Sequence, residues 1–322
     1  MVDTPISGAL VYAQYAWETT FGVQAGTINK AFGHDVSITV NPKNNTFQTR
    51  GLGSRDVQDM VSGQYEGTMS ISFTLASTYF LNSVLGQGTD GAGSGPYTHY
   101  YTPKNVLPSM TVEVGYDMGT TDVVRKFLGV KVNSCTISAA VGEVVKVSLD
   151  CTYKDQATLS TTLDTTPDTE TEEPMIFSQG DLEFPNATDI ARVQSVELTI
   201  DNGLIPVYSL GQRQPTSILE GPRSYSGRVT HTFENSSAFL TYVGTGGEIN
   251  TSEGADIELT FDNGLSTTSQ RQLLIRLSTV RIDTDDIAAN PNELVNEDVT
   301  FIAQSLGTAV AIDNTAGSWT TS

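Results

Sequence analysis

The sequence predicts an all-β protein made of two similar units in tandem, each a β-sandwich or half-barrel with one short helix. Three observations favour this fold class. Apolar and polar residues alternate along the chain, as in 69–75. Asp-Asn-Gly turns occur at 201–203 and again at 262–264. Much of the first half recurs in the second. Alternation with a period of two is typical of strands with one buried face, and tight turns join antiparallel neighbours.

The internal repeat begins with a strand in each half. Val36, Ile38 and Val40 recur 160 residues later as Val196, Leu198 and Ile200. An irregular segment recurs at a distance of 158, with Leu52, Gly53 and Arg55 matched by Leu210, Gly211 and Arg213, and a later strand block is shifted by 145. Chance likeness between two β-rich halves would supply alternation, but not the matched glycines, charges and loop. We therefore predict domains at 1–156 and 175–322.

Each unit contains one segment with apolar residues at helical spacing. These segments are 77–85 and 236–243, followed by Gly86 and Gly244. Between the units, residues 157–174 are mostly threonine, aspartate and glutamate, with little that is apolar beyond Leu159 and Leu163. This composition predicts an acidic, threonine-rich linker.

Composition and charge narrow the class of protein. The 322 residues suffice for two domains of ordinary size. With 37 acidic and 17 basic residues the net charge is −20, which disfavours a free nucleic-acid binder and also suits a host with high internal salt. No apolar run is long enough to cross a bilayer, and the amino terminus lacks the basic stretch of a signal peptide. We expect folding in the cytoplasm and no membrane partner.

Two cysteines lie in consecutive predicted strands. A cross-strand disulfide between Cys135 and Cys151 is geometrically conceivable. Their counterparts in the repeat are Val280 and Ala303, ordinary small core residues, so we expect two buried free thiols.

The sequence offers little for catalysis or cofactor binding. His34, His99 and His231 lack the spacing of a metal pair, and no serine lies in a nucleophile motif. The glycine-rich stretch 86–95 is not followed by the lysine of a phosphate loop, and the acidic run 283–286 lacks the glycine and distal glutamate of a calcium loop. We expect no enzyme activity, no cofactor and no metal.

The segment 41–67 lies between two predicted strands and is far longer than a hairpin turn needs, so it should project from its domain. It mixes apolar and charged residues. One interpretation is that these side chains fold back onto their own domain; the other is that they dock onto another subunit. The candidate residues are Phe47, Arg50, Leu52, Arg55, Met60 and Val61, with Leu210, Arg213, Ile218 and Leu219 in the second copy.

Three runs carry a resemblance to a known family. They are Gly-Val-Gln-Ala-Gly at 22–26, Thr-Arg-Gly-Leu-Gly-Ser-Arg-Asp-Val-Gln-Asp at 49–59, and Gly-Gln-Tyr-Glu-Gly at 63–67. Together they resemble the tail tube proteins of tailed bacterial or archaeal viruses, here of a duplicated two-domain type. The second copy keeps the pattern in part, since Pro215 and Pro222 replace Val57 and Gln64.

The resemblance implies sandwiches whose sheets join those of neighbours into a closed ring. It also implies that the long loop reaches the next ring, so that rings stack into a hollow tube for DNA. If six domains surround the axis, a chain with two domains closes as a homotrimer of pseudo-hexameric shape. The implied location is the virion tail, assembled in the host cytoplasm.

The implied partners are other copies of the chain, the tape measure, the tail terminator, the distal tail or baseplate proteins, and DNA that passes without specific binding. An alternative is a surface-exposed adhesin or decoration protein with tandem β-sandwiches. A third class, a carbohydrate-active enzyme, would need paired carboxylates beside aromatic platforms. The chain's two tryptophans, Trp17 and Trp319, lie near its ends, which disfavours an aromatic platform for a sugar.

Overall fold

The computed structural model describes residues 7–91, 95–119, 121–184, 190, 192–233, 255–266, 269–288 and 294–313. Strands dominate these residues, so the predicted all-β class is confirmed. The strands of the first half are β1 (Val11–Trp17), β2 (Lys30–Ala31), β3 (His34–Thr49), β4 (Asp59–Thr74), β5 (Gly86–Asp90), β6 (Tyr97–Pro103), β7 (Met110–Tyr116), β8 (Val123–Ala140), β9 (Lys146–Tyr153) and β10 (Asp155–Gln156).

The strands of the second half are β11 (Ile176–Glu183), β12 (Val193–Asp201), β13 (Ile205–Val207), β14 (Ser217–Leu219), β15 (Ser224–Thr232), β16 (Ala255–Asp262), β17 (Gln272–Ala288), β18 (Asn296–Leu306) and β19 (Ala309–Asp313). A 3-10 turn covers Gly8–Leu10, and helix α1 covers Leu81–Leu85. Helix α1 lies inside the predicted segment 77–85 and ends at Gly86, whose φ of 113° suits glycine. The second predicted helix, 236–243, lies outside the described residues.

Eight antiparallel strands form what we call the main sheet. Their order is β3–β4–β9–β8–β12–β15–β18–β17. The two halves of the chain meet inside this sheet, where residues 134–140 of β8 pair with 195–201 of β12. Within the described residues, β3 and the 281–288 part of β17 pair with a strand on one side only. The main sheet therefore ends in two open edges.

A second layer covers one face of the main sheet. Strands β8 and β17 are long enough to serve both layers, and each bends at a residue with positive φ, Gly129 at 64° and Thr279 at 54°. The early part of β8 pairs with β7 and β10, and the early part of β17 pairs with β16 and β19. Strand β19 also pairs with β6 of the first half. One continuous apolar core fills the space between the layers and spans both halves.

Strand pairing follows the same pattern in the two halves. In β8–β9 a bulge separates the pairs Val132–Cys151 and Ser134–Asp150. In β17–β18 a bulge separates Ile282–Phe301 and Thr284–Thr300, each residue 150 positions later. The pair Ile38–Ile71 of β3–β4 likewise recurs 158 positions later as Val196–Val229 of β12–β15. These distances differ from the 160 and 145 used for the sequence comparison, because alternating strands tolerate sliding until backbone pairing fixes the register. The duplication and its domain bounds stay predictions.

The tract 157–174 is held against the body by hydrogen bonds. Ser160 exchanges backbone hydrogen bonds with Val124. Gln14 Nε2 donates to Asp164 Oδ2 at 3.0 Å, and buried Arg271 lies 2.5 Å from Glu172 in an ion pair. The tract connects the halves as a packed strap and not as a free spacer.

Both cysteines are buried and free. Burial raises the pKa of each thiol well above its ordinary range. In the β8–β9 register Cys135 pairs with Leu149, and Cys151 pairs with Val132, so the two residues are not directly opposite each other. The predicted buried thiols are confirmed.

A group of ionisable side chains lies inside the second half, at positions that are apolar in the first. Glu297 is fully buried, and His231 Nε2 lies 3.3 Å from its carboxylate. The side chain of Asp285 on β17 lies within hydrogen-bond reach of Glu297 on β18. At the pairing distances given above, the corresponding residues of the first half are Val147, Phe73 and Cys135. Burial, reinforced by the neighbouring Asp285 carboxylate, raises the pKa of Glu297 from its ordinary 4.5 to about 7. Burial also raises the pKa of Asp285.

These raised pKa values make stability depend on pH. A carboxyl that binds its proton more tightly when folded stabilises the fold at low pH, and that stabilisation is lost as the pH rises through the folded pKa. We expect the free energy of unfolding to fall between pH 4.5 and about 7, by on the order of 2 kcal/mol. The change Glu297→Gln should flatten this slope in urea titrations. Glu143→Gln, on an exposed turn, is the matched control. If the free energy of unfolding depends on pH equally in the wild type and both variants, the pH dependence does not come from Glu297.

Candidate assembly surface

The predicted projecting segment is a two-stranded arm. Strands β3 and β4 pair from His34–Thr74 out to Thr49–Asp59, but β4 pairs with β9 only as far as Gly67. Residues 43–66, which we call the arm, therefore extend past the main sheet. The backbone is crowded where β3 bulges after Asn44, because a Cβ at Gly63 would lie 2.2 Å from the Asn45 carbonyl oxygen. Only glycine fits there without a shift in the backbone.

The outer part of the arm exposes apolar side chains. Phe47 is 64% exposed, Met60 62% and Val61 52%, and Leu52 at the tip is fully exposed. Phe47 and Val61 are directly paired, so their side chains share one face of the arm. The tip is closed by Arg50, whose Nη1 donates to the Arg55 carbonyl oxygen at 3.1 Å. The described contacts thus favour the interpretation in which these side chains face outward, and such a patch is typical of an interaction surface.

The second copy of the segment is shorter and folds differently. Residues 205–219, which we call the short loop, contain the three-residue strands β13 and β14. Leu210 is fully exposed and Leu219 is half exposed. Ile218 is 1% exposed, so its side chain packs within the chain and is not available to a partner. This corrects its assignment as a surface residue, which came from matching it to exposed Met60.

The arm and the short loop contact each other. Arg213 Nε donates to the Gly63 carbonyl oxygen at 3.0 Å, and its Nη2 donates to Asn44 Oδ1 at 2.9 Å. The Tyr65 N–H donates to the Arg213 carbonyl oxygen at 2.8 Å. The Tyr208 hydroxyl donates to the Tyr65 carbonyl oxygen at 3.0 Å. Sequence reasoning selected Arg213 but missed Asn44, Gly63, Tyr65 and Tyr208, because nothing in a linear pattern places two distant loops together.

The open edge of β3 presents backbone groups in a defined order. The Tyr65 N–H bonds to Arg213, so Tyr65 and Asn44 form a non-hydrogen-bonded pair within β3–β4. By alternation, the backbone groups of Ile38, Val40 and Pro42 point away from β4, toward the open edge. Pro42 offers a carbonyl but no N–H. The edge can therefore accept a neighbouring strand along Ile38–Val40, with one missing donor at Pro42.

The uncovered face of the main sheet is rich in hydroxyl groups. Its serines and threonines include Ser37, Thr39, Ser70, Ser72, Thr136, Ser138, Ser148, Thr199, Ser226, Thr230 and Thr300. At the joint between the halves, the hydroxyl oxygens of Thr136 and Thr199 lie 3.2 Å apart. Arg228 and Lys43 on this face form ion pairs with Asp298 and Glu66. The cationic groups of this face are thus partly neutralised by neighbouring carboxylates.

Outside the buried group of His231, Glu297 and Asp285, the two other histidines each bond to a neighbouring residue. His34 Nε2 bonds the Glu172 carbonyl oxygen at 2.6 Å, and His99 Nδ1 lies 2.7 Å from Asp90 Oδ1. Across the described ranges, no three His, Cys, Asp or Glu side chains form a group that could hold a metal ion. None of the described helices is long and apolar enough to span a bilayer.

A comparison with protein families identifies one match over nearly the whole chain. The family model described as "Phage tail tube protein" matches residues 8–310. No curated protein sequence matches the chain significantly.

Burial separates surface residues from core residues within the candidate set. The triple change Leu52→Ser, Met60→Ser and Val61→Ser removes exposed side chains, so we expect the free energy of unfolding to stay within about 0.5 kcal/mol per site. Ile218→Ser removes a buried side chain and should destabilise the chain by roughly 2–4 kcal/mol. Urea unfolding followed by circular dichroism distinguishes the two. A large loss in the triple variant would place those residues in a core.

Proposed function

The chain belongs to the phage tail tube protein family, and from this premise we propose that it polymerises into stacked rings that form the hollow tube through which viral DNA passes. Membership makes it a structural protein of the virion tail and implies self-assembly into a tube with other tail proteins. The observation that carries the finer proposal is the pair of open edges on the main sheet. Similar strand edges are already joined inside the chain, where β8 meets β12.

The internal joint supplies the register for the joint between subunits. We treat the two halves as duplicated units, so that β3 corresponds to β12 at a distance of 158 and β17 to β8 at a distance of 150. The internal pair Thr199–Thr136 then corresponds to Asn41 of one subunit and Asp286 of the next. In this register Val40 lies opposite Ile287, and the missing donor of Pro42 falls opposite Asp285. Only this one donor is absent, and it lies near the end of the paired stretch, since Pro42 corresponds to Ile200 in the 195–201 ladder.

Repetition of this head-to-tail contact generates a closed ring or an open helix, depending on the rotation between neighbours. We propose closure with three copies, because the family resemblance implies six domains around the axis and each chain would supply two. Three eight-stranded sheets would then form one continuous barrel without open edges. The assembly would be a homotrimer with pseudo-sixfold symmetry.

The hydroxyl-rich face of the main sheet is our candidate for the channel lining. The opposite face is buried under the second layer, so a barrel built from the main sheet leaves this face free to surround a central channel. Phosphates would meet hydroxyl groups and carboxylates such as Glu197 and Asp150, with Arg228 and Lys43 held by acidic neighbours. Arg281 on β17 is an exposed cation of this face outside those ion pairs. Such a wall would still bind DNA weakly, because tight binding requires many unpaired cations against phosphates. DNA would pass without specific contacts.

The arm is our candidate for the contact between rings. It extends beyond the main sheet at the end where β4 leaves β9, and it carries the exposed residues Phe47, Leu52, Met60 and Val61. Burying apolar surface is favourable by about 25 cal/mol per Å², and this gain would drive stacking. The tape measure, the tail terminator and the distal tail or baseplate proteins are the proposed partners at the tube's interior and ends. Assembly would occur in the host cytoplasm.

The ring contact can be tested by cross-linking. Asn41→Cys with Asp286→Cys should form disulfides between subunits, because the corresponding Thr199 and Thr136 oxygens are 3.2 Å apart. Buried Cys135 and Cys151 should remain reduced. We expect covalent dimers and trimers on a non-reducing gel, with no larger species. The control pair Asn41→Cys with Thr284→Cys is two residues out of register. Monomers alone would contradict the contact, and a ladder beyond the trimer would contradict closure.

The stacking contact can be tested with the triple serine variant of Leu52, Met60 and Val61. We expect trimeric rings to form but tubes to be lost or shortened, because the ring contact lies on other strands. Negative-stain electron microscopy over a concentration and salt series provides the measurement. Wild-type tube length in the variant would contradict a stacking role for the arm.

A further inference from the structure

We propose that Arg213 is a positioning residue that fastens the arm to the short loop, so that each chain presents one composite stacking surface. The inference rests on the proposed function, since it assigns how the stacking contact is held in place. The sequence repeat predicted a related loop in each half, with the pattern kept only in part by the second. The contacts in the chain instead join the two loops into a single unit.

Arg213 bonds to both strands of the arm at once. Its Nη2 reaches Asn44 on β3, its Nε reaches Gly63 on β4, and its own carbonyl receives the Tyr65 N–H. A planar guanidinium can hold two acceptors in fixed directions, which a lysine ammonium on a flexible stem does less well. These bonds lie at the bulge that follows Asn44, where the ladder between β3 and β4 is interrupted.

The arm needs such a fixing point. Beyond Gly67 its two strands have each other but no strand of the main sheet beside them. An isolated two-stranded hairpin is at best marginally stable in water. An arm held at one angle before assembly loses less conformational freedom on docking, and preorganisation of this kind strengthens binding without new contacts to the partner.

The two loops also expose their apolar tips at the same end of the main sheet. The arm leaves at the end defined by Pro42 and Gly67, and the short loop leaves where Asp201 pairs with Ser224. Fully exposed Leu210 thus lies on the same side of the sheet as fully exposed Leu52. The bond between the loops through Arg213 is what makes these residues one surface.

The occupant of this surface is a second copy of the chain in the next ring. The opposite end of the main sheet carries exposed apolar side chains on two loops that precede strands of the sheet, Val141 before β9 and Leu294 before β18. When identical rings stack in one direction, the arm end of one ring faces the opposite end of the next. Apolar surface on both ends gives each ring a complementary pair of faces.

The test combines hydrogen exchange with tube assembly. Arg213→Ala should raise amide exchange in 43–48 and 60–66 by roughly tenfold, because bonds from a charged donor are lost, and should raise the protein concentration needed for tubes by a similar factor. Arg213→Lys should give an exchange rate and an assembly concentration between those of Arg213→Ala and those of the wild type. Asn44→Asp should slow exchange by pairing with Arg213. The matched control is Arg276→Ala, which breaks the ion pair with Glu258 in the second layer. It should change neither amide exchange in the arm nor the protein concentration needed for tubes.

Each outcome decides the inference. If amide exchange in the arm of Arg213→Ala is unchanged, the inference is wrong. It is also wrong if exchange is faster but tubes still form at the wild-type protein concentration. Failure of the wild type to form rings or tubes would contradict the proposed function instead. In that case the exchange measurement on the soluble chain still decides whether Arg213 holds the arm.

Discussion

The pairing of β8 with β12 is the contact on which the rest of the molecule depends. Seven residue pairs join the halves into one antiparallel sheet, and the apolar core continues beneath the joint without a break. Because this joint fixes the relation between the halves, it also fixes where the two open edges lie. The proposed ring takes the register between its subunits from this internal contact.

The same framework tolerates different chemistry at corresponding positions. The cluster of Glu297, Asp285 and His231 occupies sites that in the first half hold Val147, Cys135 and Phe73. Backbone pairing and bulges agree between the halves even where the side chains do not, because the ladder is made by backbone groups. The first half carries the long arm, and the second half carries the short loop that bonds to it.

Negative charge and hydroxyl groups give the chain a surface suited to contact with DNA without adhesion. The net charge of −20 opposes binding to a polyanion. On the uncovered face of the main sheet, Arg228 and Lys43 lie in ion pairs, which weakens what they can offer to a phosphate. The arm and the short loop each expose apolar residues, including the fully exposed Leu52 and Leu210, at the end of the sheet where the proposed contacts between rings lie.

The amino-acid sequence was enough to predict the all-β class, the position of α1, the buried thiols and the projecting arm with its apolar residues. These features depend on local periodicity, glycine positions and segment length, which a linear pattern records. Only the folded chain shows that β8 pairs with β12, that 157–174 packs as a strap, that Ile218 is buried and that Arg213 bonds to the arm. These depend on which distant strands and loops come together. Strand register illustrates the reason: sliding an alternating strand by two residues leaves its pattern intact, so only backbone pairing and bulges select one alignment.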